Sequence, residues 1–429
     1  MIYISALSAL AILAVPFVNR KELDIFHPFA LFSVSFTVGG LARTSHYVVN
    51  YSSTNLPYGL SLANLKTAVI VLLISFTFLI FGFYTRIGKK IYPRFIVKIG
   101  NSLDYNLVKY LSVLLFFLGI YFFFVFVTSI YLGDVLYQLS SKRSIKSGYL
   151  MWGVEMIYVS FILIYTVEIL RGSNKFIYRL IMVVSFVIYL SVGFLMSRRG
   201  MILKGFLVPA AIYHYGKAKI GTIKVITGGT AFLLLFTLMA GVRRKTISGI
   251  YGTYEFIKNN FLDELYSSFV EGHYLFDITT VATTIRDVPG SLNFQYGKTL
   301  ITWILMPIPR SVWQEKPTAV GQLIGGHIYD QGVGKIGGGV PPPIVADFYL
   351  NYSLIGVVIG MFSFGVFVRA SQYLIKKSNT NFLTLVSYSL LLVTMISMFN
   401  GGFSKPIVGF LKMYVPILAI CWISSMRWK

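Results

Sequence analysis

The sequence predicts an all-α polytopic membrane protein with about 11 transmembrane helices, in a range of 10–14, and one large extracytoplasmic loop. Three observations predict this class. Only 12% of the 429 residues are charged, whereas soluble domains carry about 25%. The mean hydropathy is +0.72. Apolar runs of about 20 residues, the length that a bilayer requires, recur along the chain.

The apolar runs define the predicted helices in chain order. They cover 2–19, 28–49, 65–84, 106–129, 150–170, 176–196, 200–215, 223–241, 344–367, 382–399 and 407–424. No basic residue precedes the first run, and Arg20 and Lys21 follow it. The first run is therefore expected to be a transmembrane helix rather than a cleaved signal peptide.

Basic residues follow every second run. They are Arg20 and Lys21; Arg86, Lys89, Lys90, Arg94 and Lys98; Arg171, Lys175 and Arg179; Lys217, Lys219 and Lys224; Arg369, Lys376 and Lys377; and Arg427 and Lys429. Because short cytoplasmic loops carry an excess of lysine and arginine, these clusters predict the cytoplasmic side of a bacterial inner membrane. The N-terminus is then periplasmic and the C-terminus cytoplasmic.

The charge balance and cysteine content exclude some classes of protein. The formal net charge of +23 favours contact with anionic lipid, and its spread among spans argues against nucleic acid as a partner. A single cysteine, Cys421, excludes an intrachain disulfide and a thiol-rich metal site. The sequence has no metalloprotease spacing, no paired aspartates for a metal-bound nucleotide and no P-loop. We therefore expect no metal and no cofactor.

The predicted organisation has three parts. Residues 1–241 carry eight helices, 242–343 form a large periplasmic loop, and 344–429 carry three helices. Within the loop, apolar spacing over 254–285 predicts one or two amphipathic surface helices. The stretch 300–308 is apolar but too short to span, which favours an interfacial or re-entrant segment. The glycine-rich run 332–339 and the prolines at 341–343 predict a flap.

Several cations occur where membrane proteins disfavour them. On the predicted outer side these are Arg43, Arg198, Arg199, Arg243, Arg244 and Arg310, and inside the runs they are Lys204 and Lys412. A cation at the bilayer centre costs at least about 2.5–3.5 kcal/mol, so Lys412 must reach the headgroups, pair with an acid or face a wet cavity. Arginine binds phosphate oxygens in a bidentate fork, so the set predicts a pocket for a diphosphate. The alternative is that each cation contacts lipid headgroups.

Acids and histidines on the same predicted side are candidate bases. They are His46, Glu155, Glu271, His273, Asp277, His327 and Asp347. A base that activates a sugar hydroxyl must lie within hydrogen-bond reach of it, and histidine, glutamate and aspartate commonly serve. The sequence does not rank these candidates, and each is alternatively an ordinary loop residue or an ion-pair partner.

Five local motifs resemble the O-antigen (oligosaccharide repeat-unit) polymerases of the Wzy family. They are Tyr296-Gly297-Lys298-Thr299-Leu300, the polar stretch from Pro307 through Pro309-Arg310-Ser311-Val312-Trp313-Gln314-Glu315-Lys316-Pro317, Asp347-Phe348-Tyr349-Leu350-Asn351-Tyr352 with Gly356, Ser197-Arg198-Arg199-Gly200, and Gly241-Val242-Arg243-Arg244. The layout of many spans and one large outer loop is similar as well. Asp347 stands at a position where the family has glutamate as readily.

The resemblance implies a polymerase of GT-C-like architecture that moves a growing glycan from undecaprenyl pyrophosphate onto another lipid-linked repeat unit. It implies a lipid-linked donor and acceptor, membrane lipid, and a chain-length-determining co-polymerase as partners. On this reading the pyrophosphates are held by Arg198, Arg199, Arg243, Arg244 and Arg310. Sugar or lipid is contacted by Tyr296, Trp313, Lys316, His327, Lys412 and Arg43. The base is Glu271, His273 or Asp347.

Three other functions fit parts of the pattern. An O-antigen ligase shares the layout and the lipid-linked donor but transfers the glycan to a lipid A core. A lipid-linked oligosaccharide flippase is a transporter, and its short loops contrast with the loop 242–343. A structural membrane subunit has no evident use for the stretch 309–317.

Overall fold

The protein was analysed as a computed structural model that describes most of the chain. The described residues are 2–18, 24–50, 56–91, 94–128, 145–172, 175–195, 198–221, 223–225, 227–231, 275–308, 312–329, 340–376 and 381–426. Every regular element of three or more residues in these ranges is a helix. The chain is thus an all-α membrane protein.

In the described part of the N-terminal half, ten α-helices have defined bounds. They are α1 Ile2–Val18, α2 Pro28–Phe36, α3 Arg43–Asn50, α4 Leu62–Tyr84, α5 Ile87–Lys90, α6 Arg94–Asn101, α7 Tyr105–Thr128, α8 Ile145–Arg171, α9 Phe176–Leu195 and α10 Arg199–Gly216. The described residues of the C-terminal half form six more. They are α11 Ile278–Asp287, α12 Lys298–Leu305, α13 Val320–Ile328, α14 Ile344–Lys376, α15 Phe382–Gly401 and α16 Ser404–Ser425.

Seven of these helices are long and apolar enough to cross a membrane. They are α4, α7, α8, α9, α14, α15 and α16, and they coincide with the third, fourth, fifth, sixth, ninth, tenth and eleventh predicted runs. The chain is therefore a multi-pass membrane protein, as predicted. The total of 11 spans stays a prediction.

The other four predicted runs look different. The first is α1, with 17 residues. The second is divided into α2, a π-helical turn Thr37–Ala42, and α3. The seventh is α10, which carries Lys204. The eighth is described only at 223–225 and 227–231, which are helical.

The predicted outer loop is described in parts. Residues 254–274 and 332–339 lie outside the described residues. The described end of the predicted surface stretch is α11, in which eight of ten residues are buried. This helix is therefore packed inside the fold instead of presenting a broad exposed face. The short apolar stretch at 300–308 contains most of α12, which has eight residues.

The chain divides into two compact units, which are described separately. The first comprises Met1–Ile91, Tyr266–Ala370 and Thr394–Val408, and the second comprises Tyr92–Leu265, Ser371–Val393 and Gly409–Lys429. The first unit is centred on buried aromatic rings. Phe32 and Phe399 stack with ring centroids 4.5 Å apart, and Phe276 lies 4.9 Å from Phe399. Large rigid rings fill this core with little loss of side-chain entropy.

Glycines allow close helix packing in the first unit. A Cβ on Gly82 of α4 would collide with the backbone of Phe362, and one on Gly365 of α14 with the backbone of Leu79. In lipid, helices associate largely through such close van der Waals contact between small residues. The two glycines therefore fix α4 against α14.

The second unit contains α7, α8, α9 and α10. The Ser160 hydroxyl of α8 donates to the Ser112 carbonyl of α7 at 2.7 Å. At one end of the unit, the Arg171 guanidinium lies 4.9 Å from the centroid of the Tyr105 ring, and the Asp104 amide donates to the Ser424 carbonyl at 3.0 Å. The basic end of α8, the start of α7 and the end of α16 thus lie together.

Candidate functional site

Charged side chains from three helices of the second unit converge. Glu155 on α8 lies 3.8 Å from Lys204 on α10, measured from Oε1 to Nζ, and both side chains are largely buried. The same ammonium lies beside Gly409 on α16, where an added Cβ would be 3.5 Å away. One turn later on α16 is Lys412, and Glu155, Lys204 and Arg198 are close enough to act on its charge. We call Glu155, Lys204, Lys412 and Arg198 the Glu155 cluster.

One face of α8 holds the two lysine-bearing helices in place. Trp152, Glu155 and Tyr158 recur every three residues, so their side chains share a face. The Trp152 Nε1 donates to the Lys412 carbonyl at 3.1 Å. The Tyr158 hydroxyl donates to the Lys204 carbonyl at 2.6 Å. Each hydrogen bond ties a lysine-bearing backbone to α8, which places Glu155 beside their ammonium groups.

Polar atoms beside this face are buried without hydrogen bonds. Oε2 of Glu155 and the hydroxyl of Tyr189 have no partner among the described residues. The Tyr189 ring stacks on Tyr158 at a centroid distance of 4.0 Å. A buried polar group left unsatisfied costs about 1–3 kcal/mol, and such groups are rare in native proteins. Two such atoms side by side favour a polar ligand at this place.

The Glu155 cluster carries more positive than negative charge. Arg198, Lys204 and Lys412 contribute three cations, and Glu155 contributes one carboxylate, which leaves an excess of two positive charges. Ionisable groups inside spans are expensive to bury and usually mark ligand, ion or proton pathways. A ligand that brings two negative charges would neutralise the cluster. Arg199 begins α10 directly after Arg198.

The depth of the cluster follows from helix geometry. Arg171 lies 16 positions after Glu155 on α8, or about 24 Å along the helix axis. Ser424 lies 12 positions after Lys412 on α16, or about 18 Å. The hydrocarbon core of a bilayer is about 30 Å thick. The cluster therefore falls inside the spanning part of these helices, in the half remote from Arg171.

A second polar constellation lies in the first unit, where two of the five motifs meet. The Thr299 hydroxyl donates to Oδ1 of Asp347 at 2.6 Å, and the Asn351 Nδ2 donates to the Thr299 oxygen at 2.6 Å. The Phe403 amide donates to Oδ2 of Asp347 at 2.9 Å, and the Gly297 amide donates to Oδ1 of Asn351 at 2.7 Å. We call these residues the Asp347 hub.

The hub makes Asp347 an anchor between chain segments. Asp347, Asn351 and Thr299 are buried, with relative exposures of 0%, 0% and 1%. Both oxygens of the Asp347 carboxylate accept hydrogen bonds, so its burial is compensated. Asp347 therefore anchors these segments and exposes no side-chain surface, and its role as a base stays a prediction.

Arg43 also has a structural environment. Its Nη1 lies 2.7 Å from Oδ1 of Asp277, and both side chains are completely buried. The same oxygen accepts the Thr279 amide at 3.0 Å and so caps α11. Buried arginine requires such a partner. The structure thus places Arg43 inside the fold, away from the lipid or sugar contact that we expected.

The proline-flanked stretch contributes one lysine that closes a turn. Lys316 Nζ donates to the carbonyls of Met306 and Ile308 at 3.2 and 2.7 Å. The Lys316 ammonium therefore binds the backbone of the segment that precedes it. Trp313 is 40% exposed and remains open to a ligand. Arg310 lies outside the described residues.

His327 belongs to a polar clasp in the first unit. The Asp287 carboxylate accepts hydrogen bonds from Nε and Nη2 of Arg286 at 2.6 and 3.0 Å. Its Oδ2 lies 2.9 Å from His327 Nε2, and the Ser291 hydroxyl is 3.4 Å from that same nitrogen. Arg286 Nη1 donates to the Tyr58 carbonyl at 2.7 Å. The clasp joins a loop, α11 and α13.

The clasp does not have the geometry of a serine nucleophile site. Such a site needs the serine and the carboxylate on different ring nitrogens of histidine, whereas here both contact Nε2. Burial by itself would raise the pKa of Asp287, but the hydrogen bonds from Arg286 and His327 outweigh it and hold that pKa below its ordinary value. The carboxylate is thus kept ionised and structural.

The remaining predicted site residues fall outside the described part of the chain. They are Arg243, Arg244, Glu271 and His273, together with Arg310. Among the residues that the structure describes, no group of three histidine, cysteine or acidic side chains could hold a metal ion. Of the predicted candidates, the described structure groups Arg198 and Lys412 with Lys204 and Glu155.

Fold and site together define a multi-pass helical membrane protein with a largely buried cationic cluster between α8, α10 and α16. No protein-family model, curated protein or solved structure matches the chain. Its function is therefore argued from the chemistry of the site and from the motifs.

Proposed function

We propose that the protein is a glycosyltransferase that joins undecaprenyl-pyrophosphate-linked oligosaccharide repeat units into O-antigen or a related surface polysaccharide. The reaction is a block transfer at the outer face of the bacterial inner membrane. The Glu155 cluster carries this proposal, because it combines three cations with a carboxylate whose Oε2 has no hydrogen-bond partner among the described residues. The five local motifs that resemble the O-antigen polymerases favour the same reaction.

The cations serve the leaving group. When an acceptor hydroxyl attacks the anomeric carbon of the donor glycan, the bond from that carbon to the pyrophosphate oxygen breaks and negative charge develops on the diphosphate. Cations that are already positioned stabilise this charge most as the bond breaks. Lys204, Lys412 and Arg198 hold the diphosphate, and Arg199, Arg243, Arg244 and Arg310 are further expected contacts.

Glu155 takes the proton of the attacking hydroxyl. Its separation from Lys204, 3.8 Å, is at the long end for an ion pair. A diphosphate can therefore replace the carboxylate as the partner of Lys204 and leave Glu155 beside the reacting sugar. Positioned carboxylates commonly act as general bases within hydrogen-bond reach of the hydroxyl. Glu155 thereby takes the role that the resemblance offered to Glu271, His273 or Asp347.

The position of the cluster along its helices fits a lipid-linked donor. The basic end of α8 at Arg171 is expected to face the cytoplasm. The cluster lies about 24 Å from that end. Because the hydrocarbon core is about 30 Å thick, this distance places the cluster in its outer half. A pyrophosphate linked to a polyprenyl chain has its charge close to this level of the outer leaflet.

An in vitro reaction tests the proposal. The purified full chain in nanodiscs is incubated with the lipid-linked repeat unit and without nucleotide sugar. We expect a ladder of glycans that grows in steps of one repeat unit. The variant Lys204→Met should remove the ladder, and Lys217→Met, at the far end of the same helix, should retain it. A wild-type protein that yields no ladder, or a Lys204→Met variant that yields a normal one, contradicts the proposal.

One observation also favours a transporter. Charged side chains inside spans are typical of transport pathways, and two members of the Glu155 cluster, Glu155 and Lys412, lie on candidate spans. A flippase would move the lipid-linked repeat unit between leaflets of a proteoliposome without lengthening its glycan. A ligase would lengthen nothing either, and would attach the glycan only when a lipid A core is supplied. The same incubation, with and without that core, separates the three activities.

A further inference from the structure

Two exposed tyrosines stand side by side in the first unit. Tyr296 is 69% exposed and Tyr352 is 47% exposed. Their ring centroids are 6.4 Å apart and the rings meet at 70°, so the face of one ring looks toward the edge of the other. Phe294 supports Tyr296 from behind at a centroid distance of 6.0 Å. The pair forms an open aromatic corner.

The backbone at this corner adopts conformations that side-chain-bearing residues avoid. Tyr296 has φ +45° and Ser353 has φ +53°. Tyr352 and Ser353 interrupt the helical dihedral angles of α14, with Ser353 at ψ −146°. Strained residues of this kind cost about 1–3 kcal/mol each and cluster at functional sites. No glycine or proline relieves the strain at positions 351–353.

The Asp347 hub holds the corner in this conformation. Asn351 accepts the Gly297 amide at 2.7 Å, and the Leu350 carbonyl accepts the Gln295 amide at 3.0 Å. Gly297 has φ +87°, and a Cβ there would lie 3.0 Å from the Tyr352 hydroxyl. The backbone that carries the two rings is thus fixed before any ligand arrives, which lowers the entropy cost of binding.

The break in α14 leaves enough helix on one side of it to cross a membrane, so the aromatic corner is expected near the membrane surface. Residues 354–376 of α14 form 23 positions, or about 34 Å of helix, which is enough to cross a hydrocarbon core of about 30 Å. Tyrosines are common at this level as membrane anchors. An anchor, however, can occupy any exposed position of a regular helix, and it does not require two residues with positive φ.

We propose that Tyr296 and Tyr352 form a platform that binds a sugar ring of a glycan at the membrane surface. The apolar face of a pyranose presents C–H groups, which the electron-rich face of an aromatic ring attracts. Lys298, exposed beside Tyr296, supplies a donor for sugar hydroxyls at the rim. The identity of the glycan, the lipid-linked repeat unit, rests on the proposed function; the existence of the platform does not.

Saturation-transfer NMR on the full chain in nanodiscs tests the platform without any enzymatic step. The probe is the repeat-unit glycan released from its lipid carrier by mild acid. We expect the wild-type protein to saturate the glycan, and each of Tyr296→Ala and Tyr352→Ala to weaken binding about 2- to 13-fold, the value of an aromatic contact of 0.5–1.5 kcal/mol. Tyr296→Phe retains the ring and should bind normally. Tyr329→Ala, an exposed tyrosine outside the pair, is the matched control.

The outcomes separate the platform from the proposed reaction. Glycan binding that is absent in wild type, or unchanged in Tyr296→Ala, overturns the platform. Because Tyr296 is 69% exposed, its truncation should leave the fold intact, and a thermal unfolding midpoint equal to wild type verifies this. Ring-dependent glycan binding in a protein that forms no ladder supports the platform and contradicts the polymerase. A glycan ladder together with glycan binding that does not depend on the tyrosine rings supports the polymerase and contradicts the platform.

Discussion

The Glu155 cluster and the Asp347 hub are each built around a carboxylate, largely buried in the first and fully buried in the second, and they differ in how completely that carboxylate is hydrogen-bonded. Asp347 accepts hydrogen bonds at both oxygens from groups 2.6 and 2.9 Å away. Glu155 has a cation at 3.8 Å from one oxygen and no hydrogen-bond partner on the other among the described residues. A carboxylate with all its hydrogen bonds made stabilises the fold, whereas an incompletely paired one is ready to exchange partners.

The difference has a physical cause in the donors around each acid. The hub uses neutral donors, which satisfy Asp347 without adding charge. The cluster uses cations, and neutral surroundings do not compensate their excess positive charge. We therefore expect substitutions in the cluster to change activity and substitutions in the hub to change stability.

The largest expected effect is that of Glu155→Gln on the rate of glycan transfer. The amide keeps the size of the side chain but cannot take a proton, so the rate should fall about 10²- to 10⁴-fold. The measurement is the initial rate of ladder formation. Glu168→Gln, on the same helix and paired with the exposed Arg179, should retain the rate. Similar rates for both variants would contradict the catalytic role of Glu155.

The next effect is on stability and concerns Arg43. Arg43→Met leaves Asp277 as a buried charge without its arginine, and breaking such a pair costs about 3–5 kcal/mol. The double variant Arg43→Met/Asp277→Asn removes both charges and keeps a side chain that caps α11, so it should regain most of that loss. Steric trapping in bicelles measures the free energies of unfolding. A single variant as stable as wild type would refute the structural role of Arg43.

A smaller loss of stability is expected for Thr299→Val in the Asp347 hub. The change preserves shape but removes the hydroxyl that serves Asp347 and Asn351, so we expect a loss of about 1–3 kcal/mol. The matched control is Thr302→Val, one turn later and also buried, whose hydroxyl donates to the Lys298 carbonyl of its own helix. Equal costs for the two variants would show that the hub is not the stabilising element.

The smallest expected effect is the pH dependence of the Asp287 clasp. The pKa of Asp287 in the fold is below its ordinary value of 3.8. Its contribution to stability is therefore present above that value and is lost as the pH falls through the lower pKa of the folded state. Asp287→Asn should flatten the acid side of the stability curve between about pH 5 and pH 2. The measurement is the thermal unfolding midpoint against pH; parallel curves would contradict the role of the clasp.

The spans could be predicted from sequence because length and apolarity alone determine them. The seven long apolar helices therefore coincide with predicted runs. Length and apolarity do not predict how the second run is divided into α2, a π-helical turn and α3. Its π-helical turn contains Gly39, which packs against the backbone of Phe276, and no local pattern reveals a contact between positions so far apart. The burial of α11 depends on the equally distant pair Arg43–Asp277.

The candidate site could be predicted one residue at a time but not as a group. Lys412 was expected to pair with an acid, reach the headgroups or face a wet cavity because of its cost in a bilayer, and it lies near Glu155. That Glu155, Lys204 and Lys412 meet depends on how three helices pack. Trp152 and Tyr158, which hold these helices together, carry no charge that marks them in the sequence, and only their spacing of three from Glu155 places them on the same helix face.

The Arg43–Asp277 pair also constrains the order of events during biosynthesis. The two residues are 234 positions apart. At a synthesis rate of about 5–20 residues per second, the carboxylate emerges roughly 12–47 s after the guanidinium. Until then the arginine needs water or a lipid phosphate as its partner. The second hydrophobic segment therefore stays near the membrane surface or the translocation machinery, and locks into its final depth only when a far later part of the nascent chain arrives.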